Sequence, residues 1–222
     1  MTQVVFVLFP GVTQLDMTGP AQVLCRLPGA TVTVAAASLE PVPTDSGFSL
    51  LASATFADCP QADILCVPGG HGVTDALADG ATIDFIAAQA KGAKWVTSVC
   101  TGAFLLGRAG LLVGKRATTH WAYAHLLPLV GATHAPGRVV EDGRTITSGG
   151  VTSGIDFALT LIAREAGEAI AQAVQLALEY DPQPPFDSGT PAAAGGERTR
   201  LLKARVYDAA AARMEAALRN DQ

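Results

Sequence analysis

The sequence predicts an α/β protein with a mainly parallel sheet that is covered by helices on both faces. Short, unbroken apolar runs alternate with longer, alanine-rich segments that are typical of helices. Strands that consist of continuous apolar residues are buried on both faces, as in a parallel sheet between two helical layers. With 49% hydrophobic and 16% charged residues over 222 positions, the chain can bury a large core.

The elements are expected in a regular order of strand and helix. The predicted strands are 4–9, 30–38, 63–70 and 94–100, with a short extended piece at 116–121. The predicted helices are 13–27 (after a turn), 82–92, 101–112 and 122–131, with a further helix that begins at Thr152 or Ser153. Residues 138–149 are expected to form a hairpin, because two β-branched runs flank an Asp-Gly turn.

The composition changes after residue 181. Residues 181–196 are rich in proline and glycine and are not expected to form a regular element. A helix is predicted for 197–218, with one apolar stripe formed by Leu202, Val206, Ala210, Met214 and Leu218. We therefore expect an α/β domain over 1–181 and a loop with a terminal helical arm over 182–222, which packs on the same domain or on a second subunit.

Charge and hydropathy argue against several classes of partner. The formal charge is −5 and Lys and Arg form no run, whereas nucleic-acid binding needs a basic face. No stretch reaches the ~18 apolar residues of a membrane span. The first residues lack the basic region and cleavage site of a secretory signal, so we expect a cytoplasmic protein that binds neither nucleic acid nor membrane.

The cysteines and histidines predict no metal site and no disulfide framework. Cys25, Cys59, Cys66 and Cys100 show no C-x-x-C spacing, and the histidines have no ligand spacing. Most of the thiols are expected to be small buried hydrophobes, and no cofactor is expected.

Several polar and glycine positions fall just past predicted strand ends. They are Asp16, Pro68 to His71, Cys100, Thr101, Gly149 and Gly150. Functional residues of parallel α/β sheets gather at the carboxyl ends of the strands. These positions are therefore expected to converge on one edge of the sheet.

Cys100 lies where a strand is expected to end and a helix to begin. A strand–nucleophile–helix turn projects its side chain over the sheet edge, and the helix N-terminus with its free amides favours a thiolate. The small neighbours Ser98, Thr101 and Gly102 permit such a turn. The alternative is a packed core cysteine at a strand end.

Asp16 stands between Leu15 and Met17, an unusual setting for a carboxylate. A partly buried carboxyl near a thiol can have a raised pKa and move protons. The alternative is a helix N-cap, a position that aspartate favours.

The remaining candidates are glycine turns and histidines. Backbone amides at Gly69, Gly70 and His71 can point at an anion or at developing charge, or the segment is a plain tight turn. Gly150 is expected in a second close-packed turn near the pocket. His120 or His71 can be a base for Cys100, although for His120 a structural role, satisfied by the backbone, is the favoured interpretation.

Five segments resemble the ThiJ/PfpI superfamily, the class I glutamine-amidotransferase-like proteins. They occur in order and span nearly the whole chain: FPGVTQLDMTGPAQVL, ILCVPGGHG, VTSVCTGAFLLGRAGLLVGKRATTHW, ITSGGVTSGIDFALTLI and QLALEYDPQPPFDSG. Within that superfamily they are most similar to the isonitrile hydratase branch. The combination of L-D-x-T-G-P, V-C-T-G-A and E-Y-D-P-Q-P-P-F-D-x-G carries the resemblance to that branch.

The resemblance implies a flavodoxin-like three-layer α/β/α sandwich, a homodimer and a reactive cysteine on an elbow. It implies hydration of an isonitrile to an N-substituted formamide without metal or organic cofactor. Cys100 then matches the nucleophile, Asp16 the acidic partner and proton shuttle, and Thr101 the neighbouring hydroxyl. Gly69, Gly70, His71 and Gly150 are the expected substrate-binding positions.

Two other functions remain open from the sequence. Similar domains form the N-terminal half of AraC-type regulators, so a ligand-sensing domain that lacks its DNA-binding part is one alternative. A glyoxalase or a redox-stress protein of the same superfamily, with an oxidisable Cys100, is the other.

Overall fold

A seven-stranded sheet forms the centre of the computed structural model, which describes residues 1–219. The strands of the chain are β1 (Thr2–Val7), β2 (Ala30–Ala36), β3 (Val42–Pro43), β4 (Ser49–Leu50), β5 (Ala54–Thr55), β6 (Ile64–Val67), β7 (Trp95–Val99), β8 (Arg116–Ala117), β9 (Thr133–His134), β10 (Val139–Asp142) and β11 (Thr145–Ser148). The central sheet has the order β10-β11-β7-β6-β1-β2-β5. Its strands are parallel except for the β10–β11 hairpin, which is antiparallel as predicted.

The helices of the described chain connect these strands. They are α1 (Gln14–Leu24), α2 (Val73–Ala76), α3 (Gly80–Gly92), α4 (Gly102–Arg108), α5 (Ser153–Ala166), α6 (Glu168–Ala177), α7 (Pro191–Ala194), α8 (Gly196–Leu202) and α9 (Asp208–Arg219). A 3-10 segment covers Trp121–Val130, and a π-helical turn covers Lys203–Tyr207.

The helices pack in two groups, which confirms the three-layer, flavodoxin-like fold. One group pairs α1 with α5 and α5 with α6, and the other pairs α4 with α2 and α3. Each group also contacts the sheet, α1 and α5 through β1 and β11, and α3 and α4 through β6 and β7. Every residue of β6 is buried, as expected for an inner parallel strand covered on both faces.

The sequence missed most of the shortest strands. β3 and β4 form a separate antiparallel pair, and β5 adds a two-residue edge to the central sheet. β9 was also missed, whereas its parallel partner β8 lies in the extended piece predicted at 116–121. Strands of two residues carry too few side chains to show a period in the sequence.

Two predicted helices also differ from those observed. The helix after Cys100 ends at Arg108 rather than at residue 112, because Gly110 adopts a φ of 75° that terminates it. The segment predicted as a helix over 122–131 is a 3-10 helix that contains Pro128, whose nitrogen has no hydrogen to donate.

The proline- and glycine-rich segment was predicted to have no regular structure, and this was wrong at its end. Residues 181–190 have no helix or strand, but Pro191–Ala194 forms the short helix α7. The Thr190 hydroxyl caps α7 by accepting a 3.2 Å hydrogen bond from the amide of Ala193.

The predicted single stripe of the terminal helix is interrupted. The π-helical turn between α8 and α9 inserts an extra residue into the helical repeat. Met214 and Leu218 are buried on α9, whereas Leu202 and Val206 are 43% and 42% exposed. The prediction was therefore wrong for Leu202 and Val206. Residues 220–222 of the predicted arm lie outside the described residues.

Within residues 1–219, no helix combines the length and the apolar character that crossing a membrane requires.

Candidate active site

Cys100 forms a strained elbow between β7 and α4. Its φ is 56°, in the left-handed region that residues with a Cβ rarely adopt. Its amide donates to the carbonyls of Ser148 (3.1 Å) and Gly149 (2.8 Å), and its carbonyl accepts from the Thr119 hydroxyl (2.7 Å). These bonds hold the main chain in a conformation that it would not adopt alone. The structure thus provides the elbow that the sequence predicted.

Close packing beneath the elbow requires a glycine after Thr101. A Cβ on Gly102 would lie 2.2 Å from the carbonyl oxygen of Val67, the last residue of β6. The start of α4 therefore lies directly against the neighbouring strand end, which brings Cys100 next to the turn after β6.

The Cys100 thiol is buried, which favours its protonated form. Burial and the nearby charge of Asp16 raise the pKa of Cys100 well above its ordinary value. Hydrogen bonds from the amides of Thr101 and Val151 and from the Thr101 hydroxyl lower this pKa, but less strongly. The amides at the helix N-terminus thus favour the thiolate, as expected, but desolvation outweighs them.

Val151 supplies a main-chain donor that the sequence did not reveal. It precedes α5 with a φ of 21°, a positive value that is unusual for a β-branched residue. Its amide hydrogen-bonds to the Cys100 sulfur. The turn before α5 is thus part of the cysteine site.

Asp16 lies in the first turn of α1 and is only 1% exposed. Its Oδ2 accepts a 3.0 Å hydrogen bond from the amide of Gly69, and its Oδ1 is buried without a hydrogen-bond partner among the described residues. Thr13 occupies the N-cap position of α1, so the N-cap interpretation of Asp16 was wrong.

The pKa of Asp16 is raised to about 7, mainly by burial. The amide of Gly69 and the thiol of Cys100 lower it, and the charge of Asp45 raises it. The raised pKa that the apolar neighbours predicted is therefore confirmed. Because the Asp16 charge also acts on the Cys100 thiol, the two groups titrate as a coupled pair.

The glycine turn after β6 holds the catalytic candidates in place. The Gly69 amide binds Asp16, and the Gly70 amide donates a 3.0 Å hydrogen bond to the Thr101 hydroxyl. A Cβ on Gly69 would lie 2.6 Å from the Thr101 nitrogen and 2.9 Å from Asp16 Oδ2. Both amides are thus engaged by side chains of the site itself.

A cavity of about 170 Å³ opens above the thiol. It is lined by Thr13, Asp45, Gly70, His71, Cys100, Thr101, His120, Tyr123, Val151 and Tyr207. Four predicted site residues line it, namely Cys100, Thr101, Gly70 and His71. Asp16 and Gly69 lie buried beside these residues, and Gly150 lies behind His120.

His120 is a neutral wall residue of this cavity. Its pKa is lowered to about 4, first by burial and then by His71. Its Nδ1 accepts a 3.3 Å hydrogen bond from the amide of Ala122, and a Cβ on Gly150 would lie 2.7 Å from its Cδ2. These features support the structural interpretation of His120 and make Asp16 the better proton partner of Cys100.

Sequence reasoning missed five of the lining residues. They are Thr13, Asp45, Tyr123, Val151 and Tyr207. Asp45 follows the short strand β3, and Tyr207 lies on the terminal arm, so neither follows a predicted strand end. The periodicity of the sequence contained no signal that would place them in the site.

The other cysteines differ in exposure. Cys66 is buried, Cys59 is half-buried and Cys25 is exposed, so only Cys25 is fully open to solvent. Within the described part of the chain, no three His, Cys, Asp or Glu side chains are grouped to hold a metal ion.

Residues 2–164 match the model of the DJ-1/PfpI family. The chain belongs to the DJ-1/PfpI family. Among its relatives is the isonitrile hydratase of Pseudomonas putida, which is 56% identical over 189 residues, 85% of this chain and 83% of the relative. The regulator GbdR of Pseudomonas aeruginosa is 30% identical over 139 residues, 61% of this chain but only 37% of the relative.

Solved structures of this family share the fold. A ThiJ/PfpI family protein from Pseudomonas syringae superposes with a TM-score of 0.93 at 37% identity, covering 98% of this chain and 90% of that one. Drosophila DJ-1beta superposes with a TM-score of 0.70 at 26% identity over 82% of this chain and 99% of that one. The family assignment made from the sequence motifs is confirmed.

Proposed function

We propose that this DJ-1/PfpI protein is an isonitrile hydratase, which converts R–N≡C and water into the formamide R–NH–CHO. The observation that carries the proposal is the buried pair of Cys100 and Asp16 at the base of a small cavity. The relative of 56% identity that carries this activity in its name supports it. A cavity of about 170 Å³ suits a small substrate rather than a drug-sized one of ~300 to 1,000 Å³.

The first step forms a covalent thioimidate. The Cys100 sulfur bonds to the terminal carbon of the isonitrile, and the carboxylate of Asp16 takes the thiol proton as the S–H bond breaks. The protonated Asp16 then gives this proton to the same carbon, which leaves R–N=CH–S–Cys100. A carboxyl with a pKa of about 7 can serve as base and as acid at neutral pH.

The second step hydrolyses the thioimidate. Water adds to the carbon, one of its protons passes to the nitrogen through Asp16, and the tetrahedral adduct R–NH–CH(OH)–S–Cys100 forms. Cleavage of the C–S bond releases R–NH–CHO, and the hydroxyl proton returns to the sulfur. The amides of Thr101 and Val151 stabilise the sulfur as it leaves with negative charge.

The other predicted site residues position these groups. Thr101 orients the sulfur through its hydroxyl, which Gly70 holds by a 3.0 Å hydrogen bond. Gly69 fixes Asp16, and Gly150 leaves room for His120. His71 lines the cavity and is exposed to solvent, so we expect it to contact the substituent R.

The test is turnover of a simple isonitrile. We expect purified protein to convert cyclohexyl isonitrile to N-cyclohexylformamide, followed by NMR, without added metal or cofactor. Methylglyoxal is assayed alongside, because a glyoxalase of the same family would consume it instead. No formamide with cyclohexyl or phenyl isonitrile would refute the proposal.

A second candidate is ligand sensing. The 30% identity to GbdR, an HTH-type transcriptional regulator, favours a domain that binds a small molecule in the same cavity. The present chain spans 37% of that regulator. This candidate therefore concerns ligand binding only and does not extend to the control of transcription. Tight binding of an isonitrile without turnover would favour this candidate.

The proposed function extends to the location and the oligomeric state of the enzyme. We infer a cytoplasmic homodimer in which residues 1–181 form the catalytic α/β domain and 182–222 the loop and helical arm. The exposed Leu202 and Val206 fit an arm that also meets a second subunit. Sedimentation analysis tests the dimer.

A further inference from the structure

The terminal arm contributes a side chain to the active-site cavity. Tyr207 lines the same cavity as Cys100, although the family model matches only residues 2–164. The residue therefore belongs to a segment beyond the matched part of the family domain. Its position raises the question of what the arm adds to the reaction.

Burial on α9 holds the arm against the domain. Ala211, Met214 and Leu218 are buried, and the Thr74 hydroxyl contacts the Met214 sulfur at 3.9 Å. The Arg108 guanidinium donates a 2.7 Å hydrogen bond to the carbonyl of Ala217. Helix α9, which begins directly after Tyr207, is thus docked on the domain, next to the 3-10 segment and α2.

The π-helical turn ends at Tyr207, just before α9. Tyr207 is half-buried, whereas its neighbour Val206 is exposed. The extra residue of a π-helical turn rotates the side chains that precede it relative to those that follow. Such turns are frequently found at functional sites, and here the turn adjoins the cavity.

The Tyr207 ring completes an aromatic wall. Its centroid lies 5.0 Å from that of His120, 5.3 Å from Trp121 and 6.1 Å from Tyr123, in tilted and edge-on arrangements. Such contacts fix the orientation of a ring. The charge of Cys100 also acts on the Tyr207 hydroxyl and, after burial, is the second cause that raises its pKa. The side chain therefore packs against three aromatic rings within electrostatic reach of the nucleophile.

We propose that Tyr207 is a specificity-determining residue, which closes the cavity over the substituent R and restricts the enzyme to small isonitriles. The substrate class in this inference rests on the proposed function. An isonitrile is linear through its carbon and nitrogen, so attack by Cys100 on the terminal carbon directs R away from the sulfur. The ring of Tyr207 is part of the wall that limits the space available to R.

The kinetic test compares a small and a large substrate. We expect Tyr207→Ala to raise the ratio of kcat/KM for 2-naphthyl isonitrile over methyl isonitrile by about tenfold or more, the size of pocket-fit effects. Tyr207→Phe keeps the ring and should leave the ratio unchanged. Arg205→Ala, on the same turn but exposed, is the matched control. An unchanged ratio in Tyr207→Ala would overturn the inference.

A second test needs no isonitrile. Cys100 is alkylated with iodoacetamide and with the larger N-phenylmaleimide, and the rate at the Cys100 peptide is followed by mass spectrometry. Tyr207→Ala should accelerate the large reagent more than the small one, whereas Tyr207→Phe should not. If wild-type protein turns over no isonitrile but labelling shows this selectivity, the proposed function fails and the closing role of Tyr207 stands. Equal acceleration of both reagents, or none, contradicts that role.

Discussion

The main-chain amide of Gly69 donates a 3.0 Å hydrogen bond to Oδ2 of Asp16, so the turn after β6 holds the carboxyl on the first turn of α1. This bond partly compensates the burial of Asp16, whose pKa nevertheless remains at about 7. The same turn holds Thr101 through Gly70. The proton partner of Cys100 and its neighbouring hydroxyl are thus fixed by two consecutive glycines.

Gly69→Ala should impair catalysis by displacing Asp16. The new Cβ would lie 2.9 Å from Asp16 Oδ2 and 2.6 Å from the Thr101 nitrogen, so at least one of these groups must move. Misplacement on this scale can cost roughly a hundredfold in kcat/KM. Gly149→Ala is the matched control, because its Cβ meets nothing nearer than 3.8 Å. Equal activities of the two variants would show that the position of Asp16 is unimportant.

The kcat/KM for isonitrile hydration should rise as the pH is raised to about 7. Asp16, with a pKa of about 7, is protonated below this value and charged above it, and the first step needs the carboxylate to take the thiol proton. We expect kcat/KM to rise about tenfold per pH unit below 7 and to level off above it. The profile is measured between pH 5 and 9, and Asp16→Asn should be slow and lack this inflection. An inflection that persists in Asp16→Asn would have to come from another group.

Asp16→Asn should stabilise the fold at high pH while it slows catalysis. Burial raises the pKa of Asp16 from 3.8 to about 7, so the native state resists its ionisation. Ionisation of buried Asp16 therefore costs the native state free energy. This cost is absent below pH 3.8, grows as the pH rises, and is complete above about pH 7, where it amounts to roughly 4 kcal/mol. The free energy of unfolding of Asp16→Asn relative to wild type should therefore increase by roughly 2 to 3 kcal/mol between pH 5 and pH 8. Urea unfolding at both values measures it, with the exposed loop change Asp187→Asn as control. A constant difference would argue against the raised pKa.

Thr101→Val should lower activity by roughly tenfold to a hundredfold, while Thr101→Ser should retain most of it. Valine removes the acceptor of the Gly70 amide and the hydroxyl that bonds to the Cys100 sulfur, whereas serine keeps both groups. Steady-state kinetics of the two variants separate a hydroxyl effect from a packing effect. If Thr101→Ser and Thr101→Val lost comparable activity, the role of Thr101 would be packing alone.

The sequence predicted the order of the long elements because their buried runs are continuous. β1, β2, β6 and β7 and the β10–β11 hairpin lie where apolar or β-branched runs predict them. The π-helical turn could not be predicted in the same way. Helical periodicity assumes a constant repeat, so one extra residue moved Leu202 and Val206 off the expected stripe without a change in composition.

The candidate site was predictable where it follows strand ends. Cys100, Thr101 and the Gly69–Gly70 turn come directly after β7 and β6, and the sheet topology brings them together. The raised pKa of Cys100 was not predictable. It depends on how fully the thiol is buried and on its nearness to Asp16, both of which require the tertiary structure. Tyr207 was likewise invisible, because it reaches the cavity from an arm more than 100 residues away in the chain.

Covalent catalysis by Cys100 is the central claim, and one measurement tests it most directly. Formation of N-cyclohexylformamide from cyclohexyl isonitrile is compared between wild type, Cys100→Ala and the matched control Cys25→Ala, which changes an exposed thiol. We predict full activity in Cys25→Ala and none in Cys100→Ala, with an isonitrile adduct on the Cys100 peptide when wild-type turnover is quenched. Formation of the formamide by Cys100→Ala at the wild-type rate would contradict the claim.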